Sequence, residues 1–180
     1  MKLKKIIYLF LVSGILFSCD DDEKKETKFN HLVEQFADIK VLRYKIPGFE
    51  ELSTKEKSLV YYLTQAGLAG RDIMWDQNYK HNLKIREALE NINANYTGDR
   101  ESDDLNAFKV YLKRVWFSNG IHHHYSNDKI KPAFTRDYFE TELLKKSTTV
   151  LAPEVVAVLF NDVDAKKVNK KEGVDNILSS

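Results

Sequence analysis

Cysteine is almost missing from this chain: Cys19 is the only one in 180 residues. One thiol excludes an intrachain disulfide, so the fold has to be held by burial and hydrogen bonding. Charge of one sign is missing too. There are 28 basic against 27 acidic residues, a formal net charge of +1, which leaves no basic stripe of the kind nucleic-acid binding draws on. Nucleic acid is therefore not an expected partner. Nor is there an apolar run long enough to cross a bilayer: the longest, Ile6 to Phe17, falls well short of the roughly 20 residues a spanning helix needs. Familiar catalytic signatures are lacking as well. The chain has no Gly-rich phosphate loop, no G-x-S-x-G elbow, no HExxH pair and no cysteine-rich metal spacing.

What is present begins with an N-terminal segment unlike the rest. Lys2, Lys4 and Lys5 precede the Ile6 to Phe17 run, the layout of a signal peptide. The run closes on Leu16-Phe17-Ser18-Cys19, which resembles the lipobox of bacterial lipoproteins. That resemblance makes residues 1–18 the signal peptide and Cys19 the lipidated first residue of the mature chain, accounting for the position of the lone thiol. The alternative is a general secretory signal followed by an incidental cysteine. After Cys19 come Asp20-Asp21-Asp22-Glu23-Lys24-Lys25-Glu26-Thr27-Lys28, too polar to bury surface, so residues 19–28 read as a charged tether. Together these features place the protein in the bacterial cell envelope, anchored by lipid to a membrane and facing the periplasm or the outside.

From Phe29 onward the composition, 43% hydrophobic and 12% aromatic over the whole chain, suits one globular body, and the apolar spacing is mainly α. Phe29, Leu32, Val33, Phe36 and Ile39 fall three or four apart and predict a first helix ending before Pro47-Gly48. Ser53-Thr54-Lys55-Glu56 predicts a capping box, followed by a stripe through Leu59, Tyr62, Leu63, Ala66, Ala69 and Ile73. Gly67 and Gly70 inside this helix point to close packing in preference to a break. A further helix runs through Leu83, Leu89 and Ile92 to Thr97-Gly98-Asp99. The next is capped by Ser102 or Asp103, carries Leu105, Phe108, Leu112 and Val115 on one face, and stops at Asn119-Gly120. Thr135 is expected to cap a short helix through Phe139 and Leu143, and Pro153 to open another through Val156 and Leu159. The terminal KKEGVDNILSS holds a short apolar run that could open a strand, and it leaves residues 29–180 looking like an incomplete body.

Most of the aromatic residues Tyr61, Tyr62, Trp75, Tyr79, Tyr111 and Trp116 sit at helical spacing and are expected to pack in or against the core. Chemistry is concentrated in Asn119-Gly120-Ile121-His122-His123-His124-Tyr125. Three adjacent imidazoles cannot converge on one ion in regular structure, and the three or four ligands of a zinc site have no further cluster to draw on. No metal ligand and no catalytic residue are assigned. His31 and His81 are expected to be surface or capping residues. Glu50-Glu51 and Asp103-Asp104 stand near expected helix starts, where carboxylates suit the helix dipole. Tyr125, in a loop beside histidines, suits the wall of a binding cleft.

Three stretches, Phe36 to Ser53, Leu59 to Leu83 and Val110 to Pro132, resemble the N-terminal part of the dipeptidyl peptidase III family, zinc-dependent exopeptidases, in its bacterial lipoprotein branch. The resemblance implies a helical part of the lower lobe of a two-lobed peptidase, residues 29–180. It implies substrate-binding roles for Tyr125, His124, His123 and Asn119, and short peptides as partners. Relatives bind zinc through an HExxGH helix and a later glutamate, and neither motif occurs here. The resemblance thus assigns this chain no cofactor of its own and no chemistry alone. The competing expectation is an independently stable, lipid-anchored helical binding module without catalysis.

Overall fold

The structure, a computed structural model, describes residues 29–166. The signal segment, Cys19, the charged tether and the terminal apolar run lie outside the described residues. The chain divides into two units, Met1–His31 and Leu32–Ser180. Of the first, residues 29–31 are described, and there the Phe29 and His31 rings meet edge-on at 4.8 Å.

The second unit starts with a β-hairpin where the three-and-four spacing predicted a helix. Strands β1 (Leu32–Phe36) and β2 (Ile39–Leu42) pair antiparallel with Phe36 opposite Ile39 and Leu32 opposite Leu42, and the register shifts between Leu32 and Glu34. The apolar positions were compatible with either period. The β-branched Val33, Ile39 and Val41 favour extended backbone, and Ala37, at φ 47°, turns the chain in the left-handed region. Glu34 pairs with Lys113, Asp38 with Arg114, and the Lys113 ammonium lies 5.6 Å from the Phe36 ring centre. These contacts, made far along the sequence, are what the local spacing could not contain.

After a 3-10 turn at Phe49–Glu51, which carries the Glu50-Glu51 pair, helix α1 (Thr54–Ala69) opens with the expected capping box. The Ser53 side chain accepts from the Glu56 N–H, and Glu56 accepts in return from the Ser53 N–H at 2.8 Å. Its apolar stripe, however, is not buried: no α1 residue is buried among the described residues, and Tyr62 is 69% exposed. The helix breaks at Gly70, and α2 (Arg71–Asn78) starts immediately after. No close neighbour confines either glycine. A Cβ on Gly67 would meet nothing within 4 Å, and one on Gly70 only carbonyl oxygens at ordinary contact distance. Gly70 marks the break, Gly67 lies inside α1, and neither serves close packing, because no other described element comes within contact of either.

The core forms from the next elements. Helix α3 (Asn82–Asn95) buries Ile85, Leu89 and Ile92, and α4 (Asp103–Ser118), capped by Ser102 with Asp103 and Asp104 in its first turn, buries Leu105, Phe108, Leu112 and Val115. The spacing of these residues puts each set on one face. Thr135 caps the short α5 (Arg136–Tyr138), which widens into a π-helical turn, Phe139–Leu144. The wide turn places both Phe139 and Leu143 in the core. Helix α6 (Pro153–Phe160) contributes Val155, Val156 and Leu159. Trp75 from α2 and Tyr79, the residue that ends it, close the cluster. Each fully buried side chain of this size contributes about 1.5–3 kcal/mol. Tyr111 is buried as expected, whereas Tyr61, Tyr62 and Trp116 are exposed: the α1 face that carries the two tyrosines is uncovered among the described residues, and Trp116 is 40% exposed although its Nε1–H donates to Glu90 at 2.9 Å.

Candidate functional site

Helix α4 ends where Asn119 adopts φ 50°, ψ 42°, its N–H closing onto the carbonyls of Val115 and Trp116. Asparagine tolerates this left-handed conformation better than most residues. Gly120 follows at φ 150°, a value that L side chains avoid, and a Cβ there would overlap the Asn82 carboxamide. Asn82 is buried and joins three segments. Its Nδ2 donates to the Trp75 carbonyl at 3.0 Å and lies 3.5 Å from the Asn119 carbonyl, while its Oδ1 accepts from the Ile121 N–H at 3.2 Å. Asn78 also donates to the Asn119 carbonyl, at 3.1 Å.

From this anchor the chain makes a tight loop, His122 to Ile130. Its base is closed by Ile130 N–H to Ile121 O, 2.8 Å, and His123 N–H to Asp128 O, 2.7 Å. His122 turns inward: it is buried, its Nε2 is 2.8 Å from the Asp164 carbonyl, and its ring meets Tyr79 edge-on at 5.2 Å. His123 shapes the loop tip, its Nδ1 accepting from the N–H groups of Tyr125 and Ser126, both at 3.2 Å. An acceptor at Nδ1 leaves the neutral ring's proton on Nε2.

The rings of His123, His124 and Tyr125 then follow one another at centroid distances of 4.5 and 4.3 Å, and Phe117 meets His124 edge-on at 5.1 Å. Tyr125 is 84% exposed. His124 also has Ser118 Oγ 3.5 Å from its Nδ1. Loss of hydration, with repulsion from His123 second, holds its pKa below the ordinary imidazole value of 6.5. A pocket of about 140 Å³ opens beside it, lined by Met74, Asn78, Asn82, Ser118, Asn119 and His124 among others. That volume suits one small side chain or chain terminus and is well below the 300–1,000 Å³ of whole-ligand pockets.

The four residues expected to bind substrate are thus neighbours. His123, His124 and Tyr125 form one ring series, and Asn119 shares the pocket with His124. The arrangement offers an imidazole donor, an exposed aromatic face and a small polar recess. The donor set does not fit a zinc ion, since His122 is committed inward to the Asp164 carbonyl and His123 Nδ1 to two backbone N–H groups. Among the described residues no three His, Cys, Asp or Glu side chains gather as metal ligands do. His81 stands at the N-cap position of α3 without a side-chain cap bond, its ring edge-on to Tyr79 at 5.4 Å. Its pKa is lowered, first by burial and then by Lys80 and Lys84.

Sequence reasoning did not single out Asn82 or Lys129. The signal for Asn82 was available: it stands three residues before Ile85 on the buried stripe of α3, and a polar residue on an apolar face calls for a partner. Lys129, buried with its ammonium on three carbonyls, had no such local mark. No helix among the described residues is long and apolar enough to cross a membrane. Compared with protein-family models and with curated proteins, the chain matches none.

Proposed function

We propose that this chain is the N-terminal, cleft-lining part of a dipeptidyl peptidase III-like exopeptidase, and that its His122–Ile130 loop receives short peptides while the zinc ligands belong to sequence outside it. In this reading Cys19 carries the lipid that tethers the protein in the bacterial envelope. The observation that carries it is Tyr125, 84% exposed yet packed against His124 at a centroid distance of 4.3 Å, the rings tilted by 46°, in a loop closed at its base. An aromatic ring held in water on an ordered loop loses little freedom when a ligand covers it. Its face can take a peptide's cationic N-terminus, the Nε2–H of His123 can donate to a peptide carbonyl, and the adjacent recess can hold one small side chain. The catalytic chemistry of the complete enzyme would come from metal-activated water, with this loop binding and orienting the peptide.

The test is calorimetric titration of the full chain with tetra-alanine, free or acetylated at its N-terminus. The free peptide should bind and the acetylated one more weakly. Tyr125→Ala should weaken binding about tenfold, in the range for losing an aromatic or cation–π contact, while Tyr125→Phe should bind nearly as wild type. Equal binding of both peptides, or no effect of Tyr125→Ala, rejects the assignment.

A second reading, a lipid-anchored helical module without chemistry, is favoured by a core that closes within residues 75–159. Dipeptide release from an arylamide separates the two: the peptidase reading requires it to emerge when the chain is extended downstream, and the module reading requires it to stay absent.

A further inference from the structure

Lysine is almost never fully buried without a partner that compensates its charge, yet Lys129 is only 8% exposed. The last carbonyls of a helix lack intrahelical donors, and α6 ends at Phe160. The Lys129 Nζ donates to Val158 O at 2.8 Å, to Val163 O at 2.6 Å and to Asn161 O. All three ammonium protons are thereby used, and the positive charge sits at the negative end of the helix dipole. Burial holds the Lys129 pKa below the ordinary lysine value, Asp164 and then Asp162 offset part of this, Lys131 adds to it, and Lys131 itself reaches Asp162 at 3.2 Å. The same segment is gripped elsewhere along the loop. Lys129 N–H donates to Ala165 O at 2.8 Å, His122 Nε2 meets Asp164 O, Asp128 pairs with Lys166, and Tyr79 donates to the Asp164 carboxylate at 2.7 Å.

We propose that Lys129 is the positioning residue of the His122–Ile130 loop: its ammonium, seated on carbonyls of the last turn of α6 and of the segment that follows it, fixes the face that His123, His124 and Tyr125 present. The peptide-binding consequence rests on the reading above, whereas the clasp between loop and helix end does not. The seat is made of three carbonyl oxygens, so what it requires is a compact cation with donors and not merely a filled volume. A lysine that served packing alone would be replaceable by an apolar chain of the same length.

The experiment compares the full-length wild type with Lys129→Ala and Lys129→Met, reading amide hydrogen exchange and tetra-alanine affinity with and without methylammonium chloride, against sodium chloride at equal ionic strength. In Lys129→Ala, amides of residues 122–130 and 161–166 should exchange at least about tenfold faster while those of α3 and α4 keep their protection, the pattern of a local opening. Affinity should fall in parallel. Methylammonium should restore both, sodium chloride should not, and Lys129→Met, whose side chain fills the seat, should resist rescue. Unchanged exchange in the loop, a uniform rise across all helices, or a Lys129→Met variant that behaves as wild type overturns the proposal. Should the wild type itself fail to bind tetra-alanine, the peptide reading falls and exchange alone decides on the clasp. If Lys129→Ala does not fold, Lys129→Met, which fills the seat but brings no cation, is read in its place. Faster exchange confined to 122–130 and 161–166 then supports the clasp, and no change there overturns it.

Discussion

Gly120 is the residue the loop can least replace. It combines φ 150° with a backbone position at which any Cβ would overlap Asn82, the side chain joining α2, α3 and the loop. Gly120→Ala should therefore lower unfolding free energy by about 3 kcal/mol through strain and a displaced buried amide, measured by urea denaturation. A loss below about 1 kcal/mol would show that the anchor can relax. His124 supplies a pH dependence with a definite sign. Its folded pKa lies below 6.5, with burial as the larger cause and His123 the smaller. Above pH 6.5 both folded and unfolded states hold it neutral, and it adds no slope. As pH falls from 6.5 toward the lowered folded value, the unfolded state takes the proton first, so stability falls on acidification. The urea midpoint of the wild type should drop between pH 7 and pH 5.5 more than that of His124→Gln; equal drops would contradict the assignment. In the folded protein the same protonation comes only as pH falls through the lowered folded value, and since it puts positive charge beside a peptide's ammonium, affinity should decline there and not at 6.5.

Among the elements, helix ends were the most legible. Ser53 with Glu56, Ser102, Thr135 and Pro153 all stand where their local chemistry put them, because a cap is satisfied within three residues of itself and needs nothing distant. Faces were less legible. The stripe of α1 has the spacing of a buried face, yet nothing in the described structure covers it, and an isolated helix of 16 residues is marginal in water. The break at Gly70 belongs to the same element pair. Gly70 has φ −83°, ψ 0°, a conformation alanine accepts, and open surroundings. Gly70→Ala should raise stability by about 0.5–1 kcal/mol through a less flexible unfolded chain. A loss in the urea titration would mean that the break needs glycine for a reason beyond its backbone angles. The hairpin fell outside local reasoning altogether, since its ion pairs join Glu34 and Asp38 to residues more than 70 positions later.

At the scale of the molecule, one body of core residues from Trp75 to Leu159 carries a loop at its edge, and the proposed anchor would carry the whole to a membrane. That anchor is testable without reference to the fold. Cys19→Ser should abolish incorporation of labelled fatty acid and move the protein from the membrane fraction to the soluble one; unchanged partitioning would leave Cys19 an incidental residue. The candidate site was half legible. Tyr125, His123, His124 and Asn119 stood out because aromatic and imidazole groups crowded past a helix stop are visible in one line of sequence. Asn82 and Lys129, which hold them, act across 37 and about 30 residues, and no local pattern records such partners.

The sequence by itself determined the mainly helical class, the capped helix starts, the left-handed stop at Asn119 and the composition of the loop, because each depends on backbone chemistry or periodicity within a few residues. Only the tertiary structure decided that residues 32–42 are strands, that α1 keeps its apolar stripe exposed, that His122 turns inward while Tyr125 turns out, and that Lys129 is buried. Those outcomes depend on which distant carbonyl, carboxylate or ring lies within reach of each side chain, and that is set by packing.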